Sequence, residues 1–241
     1  MEGRRAEGVV VTMGPAQGQA EESELNDWLI DTHFAEVMAS GVFNHAVRLA
    51  NPEATVGSNE GPANEIDAKT TKFLTVYETN RADVAAAWRE NTARNAGLRK
   101  QGRITPISPH SSTSMVAAFK RVEEPQGSGA RTTGILAVMM DFKDATERQA
   151  FQPWYGNVHI PDILATGFYH TATRYQSDPL QPSHPGFMTL YETDREDGAA
   201  TLKQFTKALR DLTPSPRTFD LTMRFWAPFE IMHSASGSGQ R

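Results

Sequence analysis

His33 and His159 each stand five residues after a tryptophan, Trp28 and Trp154, and each is followed fifteen residues later by an arginine, Arg48 and Arg174. On a helix, residues four apart share a face. His159 then shares one with Tyr155 and Ile163, and His33 with Leu29 and Val37. That is an apolar stripe, so both imidazoles are expected to point inward. Burial disfavours the charged ring, and without a compensating carboxylate each histidine stays neutral. A neutral imidazole in an apolar pocket can take a proton as a general base or orient a substrate as a donor. The plainer role is structural, fixing the helix to the sheet. The tryptophans lie about 140° round an α-helix from the histidines, which places them away from the rings and suits core packing.

Other candidates fall on strands. Tyr77 and Tyr191 close equivalent strands, FLTVYET and FMTLYET, where each can donate a phenolic proton to a substrate oxygen or serve as a core aromatic. Glu78 and Glu192 fall on the opposite side and read as rim residues. His170 shares a side with Arg174, and Asn44 with Arg48. A buried arginine needs a partner, and an inward one could hold a substrate carboxylate or enolate; the alternative is a strand-end arginine paired with an acid. The candidate catalytic set is therefore His159, Tyr191, His170, His33 and Tyr77. The candidate substrate-binding set is Arg174, Tyr155, Trp154, Arg48 and Trp28. No H-x-H or H-E-x-x-H spacing occurs among the seven histidines, so no metal site is expected.

The elements that would position these residues come twice. Residues 24–49 and 150–175 align at a shift of 126, and the strands FLTVYET and FMTLYET at a shift of 114, so the first copy carries a loop 12 residues longer. In order, the pattern predicts a strand at Gly8–Met13, a helix from about Ser23 as N-cap to Ser40, ended by Gly41, and strands at Val42–Leu49 and Lys72–Glu78. A helix over Arg81–Leu98 and a strand over Ser114–Val122 follow. The series then restarts with Gly134–Met140, a helix at Glu147–Ala165, Phe168–Tyr175, Phe187–Glu192, a helix at Ala199–Leu212 and Leu221–Phe229. Each half is β-α-β-β-α-β, the split βαβ unit of ferredoxin-like folds. Residues 8–124 form repeat 1, 125–132 a linker, 133–232 repeat 2, and 233–241 a disordered tail. A four-stranded sheet with helices on one face must cover the other, so the two repeats are expected to pack sheet to sheet. Each half leaves a cleft between helices and sheet suited to a small ligand.

Bulk properties narrow the class. The chain has 241 residues, 39% hydrophobic and 22% charged, with a formal net charge of −5, as in ordinary globular proteins. No basic stripe argues for nucleic acid. There is no cysteine, which removes disulfides, thiolate nucleophiles and iron–sulfur clusters. No signal-like segment or run of about 20 apolar residues occurs, so a cytoplasmic protein without membrane attachment is expected. Walker, GxGxxG and GxSxG motifs are missing from the sequence.

The carriers WYGNVHIPDILATGFYHTATRY and FMTLYET, with the weaker copy WLIDTHFAEVMASGVFNHAVRL and FLTVYET, resemble the dimeric α+β barrel superfamily, in particular its EthD-like and NIPSNAP-like members. The resemblance implies an α+β fold in which one chain carries what others form as a dimer, so that the protein is a monomer with an internal pseudo-dimer or a homodimer. That superfamily includes cofactor-independent monooxygenases, polyketide cyclases, muconolactone-type isomerases and haem enzymes. Repeat 1 departs from its W-Y-x-x-x-H-x-P form, with Leu29 for the tyrosine and Ala35 for the proline, which makes repeat 2 the expected active half. The expected function is a cofactor-independent enzyme of lyase, isomerase or cyclase type on a small aromatic or polyketide-like molecule. In it, His159 is the base, with Tyr191, His170 or Arg174 steadying an oxyanion. The alternatives are a haem- or O2-dependent oxidoreductase, with His159, His170 or His33 as axial ligand, and a non-catalytic binding protein.

Overall fold

The computed structural model describes residues 1–15, 19–55, 66–102, 115–142, 144–178 and 184–237. The chain divides into two compact units. The N-terminal unit comprises Ala6–Lys120, Ser177–His184 and Ile231–Arg241; the C-terminal unit comprises Met1–Arg5, Arg121–Gln176 and Pro185–Glu230.

In the N-terminal unit the elements are β1 (Gly8–Pro15), α1 (Gln19–Trp28), a π-turn (Leu29–His33), α2 (Phe34–Ala39), β2 (His45–Ala50), β3 (Thr71–Thr79), α3 (Val84–Lys100) and β4 (Met115–Arg121). Strand order is β4–β1–β3–β2, antiparallel at each pairing, with Val10 opposite Tyr77, Val9 opposite Phe119 and Ala46 opposite Tyr77. Val10, Phe34, Val37, Phe43, Ala46, Tyr77 and Val84 form its core, and each fully buried large side chain contributes about 1.5–3 kcal/mol.

The C-terminal unit repeats the scheme with β5 (Gln126–Gly127), β6 (Gly134–Phe142), α4 (Ala145–Trp154), a second π-turn (Tyr155–His159), α5 (Ile160–Ala165), β7 (Thr171–Asp178), β8 (Phe187–Thr193), α6 (Gly198–Ala208) and β9 (Leu221–Ser236). The order β9–β6–β8–β7 reproduces that of the first copy, and β5 adds an edge to β7. Each copy therefore has the ferredoxin-like β-α-β-β-α-β order expected from the internal repeat. Gly41 and Gly167 adopt φ of 68° and 72°, the left-handed geometry that lets each first helix stop. Asp83 and Asp197 cap α3 and α6, accepting from Ala86 N–H and Ala200 N–H.

Several local expectations are corrected. α1 begins at Gln19, so Ser23 lies inside it; Glu21 and Glu22 occupy the acidic first turn instead. The stretch read as a linker, 125–132, carries β5, and Gly129 N–H donates to Thr171 Oγ1. The tail read as disordered is strand to Ser236, and 238–241 fall outside the described residues. Glu78 and Glu192 are not at the rim: they are 2% and 1% exposed. Glu192 is held by Glu2 N–H and the Thr132 hydroxyl, partners far away in sequence. Among the described residues no helix is long and apolar enough to cross a membrane.

Candidate functional site

The helix before β2, and its counterpart before β7, does not stay α-helical. Phe34 N–H donates to Leu29 O and Ile160 N–H to Tyr155 O, five residues back in each case. This wider turn returns the residue at i+5 to the face of residue i. Trp28 consequently stacks on His33 with ring centroids 5.0 Å apart, and Trp154 on His159 at 5.0 Å. An α-helical count separates these pairs; the π-turn joins them, so the tryptophans lie beside the histidines.

In the N-terminal unit these residues line a cavity of about 130 Å³, near the ~150 Å³ that accepts one benzene ring. Its walls include Met13, Leu25, Trp28, Leu29, Phe73 and Trp88, and its polar groups include His33, Arg48, Thr75, Tyr77, Asn95 and Arg99. His33 Nε2 and Tyr77 Oη lie 3.2 Å apart, while His33 Nδ1 and Trp28 Nε1 are buried without a hydrogen-bond partner. Burial, then the Arg99 and Arg48 charges, push the His33 pKa down to about 4. Burial likewise raises the Tyr77 phenol above its ordinary value.

Arg48 is 5% exposed. Its Nε and Nη2 donate to Asn26 Oδ1 at 3.2 and 3.0 Å, and its Nη1 to Thr75 Oγ1 at 2.9 Å. The guanidinium stacks 4.2 Å from the Phe73 ring centre. Burial lowers its pKa to about 10, which leaves it charged at neutral pH.

The equivalent C-terminal residues are arranged differently. Tyr155 takes the place of Leu29, and its hydroxyl bonds Tyr191 Oη at 2.6 Å and Thr189 Oγ1 at 3.3 Å. Phe151 replaces Leu25 and Met140 replaces Gly14, so only about 10 Å³ remains beside Tyr155. Arg174 is paired with the Glu123 carboxylate at 3.0 Å. His159 is half-buried between Trp154 and Tyr155, and burial lowers its pKa to about 4 despite the nearby Asp162. His170, just before β7, bonds Thr171 Oγ1 through Nδ1 at 2.9 Å. Of the expected residues, His33, Tyr77, Arg48 and Trp28 thus converge on one cavity. In repeat 2, the expected active half, Tyr191 is bonded by Tyr155 and the space beside them is filled, while a more open groove of about 370 Å³ lies at Glu123, Gln152, Gly156 and Arg174.

Sequence reasoning passed over Asn26, Thr75, Trp88 and Arg99. Trp88, Thr92, Asn95 and Arg99 follow one helical stripe of α3, the signal that could have found them. Among the described residues no group of three or more His, Cys, Asp or Glu side chains could hold a metal ion. A porphyrin does not fit the N-terminal cavity as the side chains stand, because about 130 Å³ is far below the ~300–1,000 Å³ of ordinary ligand sites.

No family model and no curated protein sequence matches the chain. Among solved structures it is similar to an anthrone oxidase-like protein, at 9% identity and a TM-score of 0.53, covering 100% of this chain and 98% of that one. It is also similar to a mutant chlorite dismutase from Candidatus Nitrospira defluvii in complex with cyanide, at 8% identity and a TM-score of 0.57, covering 95% and 92%. At such identities the likeness shows the fold alone, in agreement with the α+β class read from the tandem repeat.

Proposed function

We propose that the chain is a cofactor-independent enzyme that moves a proton on a small aromatic or polyketide-like molecule held in the N-terminal cavity, in an isomerase, cyclase or lyase type of reaction. The EthD-like character read from the sequence motif belongs to the same proposal. One observation carries it: a buried, neutral His33 faces an open cavity with Nδ1 uncommitted, while Nε2 meets Tyr77 Oη at 3.2 Å.

With the ring proton on Nε2 and donated to Tyr77, Nδ1 is the acceptor that takes a proton from a carbon acid. The Tyr77 hydroxyl can then donate to the oxygen on which charge develops, and Arg48 lies in the same cavity to stabilise an enolate. His33 is unprotonated at neutral pH because burial and two guanidinium charges lower its pKa. A bound anion would offset those charges and strengthen the base when substrate is present.

The test is exchange of the α-hydrogens of phenylpyruvate for solvent deuterium, followed by NMR with the full chain. His33→Asn should slow exchange by roughly 10²–10⁴-fold without a comparable change in the melt. His159→Asn should leave it within about twofold, since His159 belongs to the filled copy. Loss in the His159 variant with retention in the His33 variant would overturn the assignment. Wild-type exchange no faster than that of His33→Asn would overturn the proton-transfer reading itself.

A further inference from the structure

Arg48 is a buried cation bonded only by neutral groups; the carboxylate that acts on it, Glu22, does so from a distance and is paired with Lys72 at 2.6 Å. Three of its five N–H groups are bonded, to Asn26 Oδ1 and Thr75 Oγ1, and both acceptors are neutral. Among the described residues no carboxylate bonds it. Its counterpart Arg174 has Glu123 at 3.0 Å, so the same scaffold position does accept an acid. A charge taken out of water is costly unless paired, and an arginine keeps its charge.

The other polar groups of the cavity lean the same way. Trp28 Nε1 can only donate, and it is buried without an acceptor. Arg99 adds a second cation at the exposed end of the lining, and no aspartate or glutamate is among the lining residues. The remaining wall is mostly apolar and aromatic, with the neutral Thr12, Thr92 and Asn95 among it and room for about one ring.

We propose that this cavity is an anion site selective for a single-ring aromatic carboxylate or enolate, with Arg48 as the specificity-determining counter-ion. The two free N–H groups of Arg48, one on each Nη, form a fork that fits a carboxylate. Trp28, Leu29 and Phe73 bury the ring, and Trp28 Nε1 supplies a third donor. The inference deepens the function proposed above and rests on the same cavity, but it concerns recognition and not proton transfer.

Calorimetric binding to the full chain tests it, with sodium benzoate, benzyl alcohol and inorganic phosphate as probes. Benzoate should bind roughly 10- to 100-fold more tightly than benzyl alcohol, the range expected of a charge-assisted hydrogen bond. It should also bind more tightly than phosphate, which has the charge without the ring. Arg48→Met should remove the preference for benzoate over benzyl alcohol, and Arg48→Lys, which keeps the charge but loses the fork, should fall between. Equal binding of benzoate and benzyl alcohol to wild type would overturn the proposal, even if Arg48→Met failed to fold. Phosphate binding as tight as benzoate, or undiminished preference in Arg48→Met, would overturn it too. Loss of exchange with the benzoate preference intact would leave the anion site standing; loss of the preference with exchange intact would leave the proton transfer standing.

Discussion

Leu29→Tyr gives the N-terminal copy the residue that fills the C-terminal one. The two positions sit at the same point of equivalent π-turns, and Tyr155 shows that a phenol there coexists with a histidine four residues on and bonds the strand tyrosine at 2.6 Å. The new hydroxyl should therefore reach Tyr77. A cavity of about 130 Å³ filled at roughly 24 cal/mol per Å³ corresponds to about 3 kcal/mol. That is an upper bound, because the cavity opens to solvent and its rim is wet. A gain of 1–3 kcal/mol would raise the melting temperature of a chain this size by about 2–12 °C. Benzoate binding and deuterium exchange should both disappear. Differential scanning calorimetry and calorimetric titration read the two effects on one sample. A variant that melts higher and still binds benzoate would refute the assignment of the cavity. One that melts several degrees lower would refute the claim that the copies share a common interior differing at this residue.

Other outcomes follow from the same geometry. The His33 and His159 pKa values are lowered to about 4, so below the ordinary 6.5 the unfolded chain binds protons that the folded chain refuses. Stability should be complete above pH 6.5 and fall as pH drops toward 4, by up to about 3 kcal/mol for His33 and less for the half-buried His159. Urea titrations between pH 4 and 8 should show a shallower slope for His33→Asn. A Cβ on Gly156 would lie 2.7 Å from Arg174 Nη1 and 3.3 Å from Glu123 Oε1. Gly156→Ala should therefore lower stability by about 1–2 kcal/mol by displacing the buried Arg174 from its half-exposed partner, and a thermal melt at or above wild type would contradict this.

The architecture was legible because a duplicated sequence states its own period. The shared Trp, His, Gly and Arg spacing defined both copies, and alternation located the long strands within three residues at each end, except that β9 runs to Ser236 and not Phe229. Local hydrogen bonding was not legible. Nothing in LIDTH or YGNVH announces an i→i+5 turn, so counting at 100° per residue separated Trp28 from His33. Long-range partners were hidden as well: Glu192 read as a rim residue because Glu2 and Thr132, which cover it, lie far off in the chain. The two signals for choosing between the copies diverge. Leu29 counted as a departure from the expected aromatic, yet a shorter side chain is what leaves the interior hollow. Motif completeness and an open site pulled in opposite directions.

The Leu29–Tyr155 difference also bears on why two copies share one polypeptide. In a symmetric homodimer every substitution is written twice, and each subunit must be chemist and scaffold together. Fusing the copies breaks that constraint. Here one half fills the space beside Tyr155, locking Tyr155 to Tyr191 and Arg174 to Glu123, while the other keeps a hollow and an arginine bonded only by neutral groups. Rigidity and reactivity can then evolve under separate selection, a specialisation closed to identical subunits.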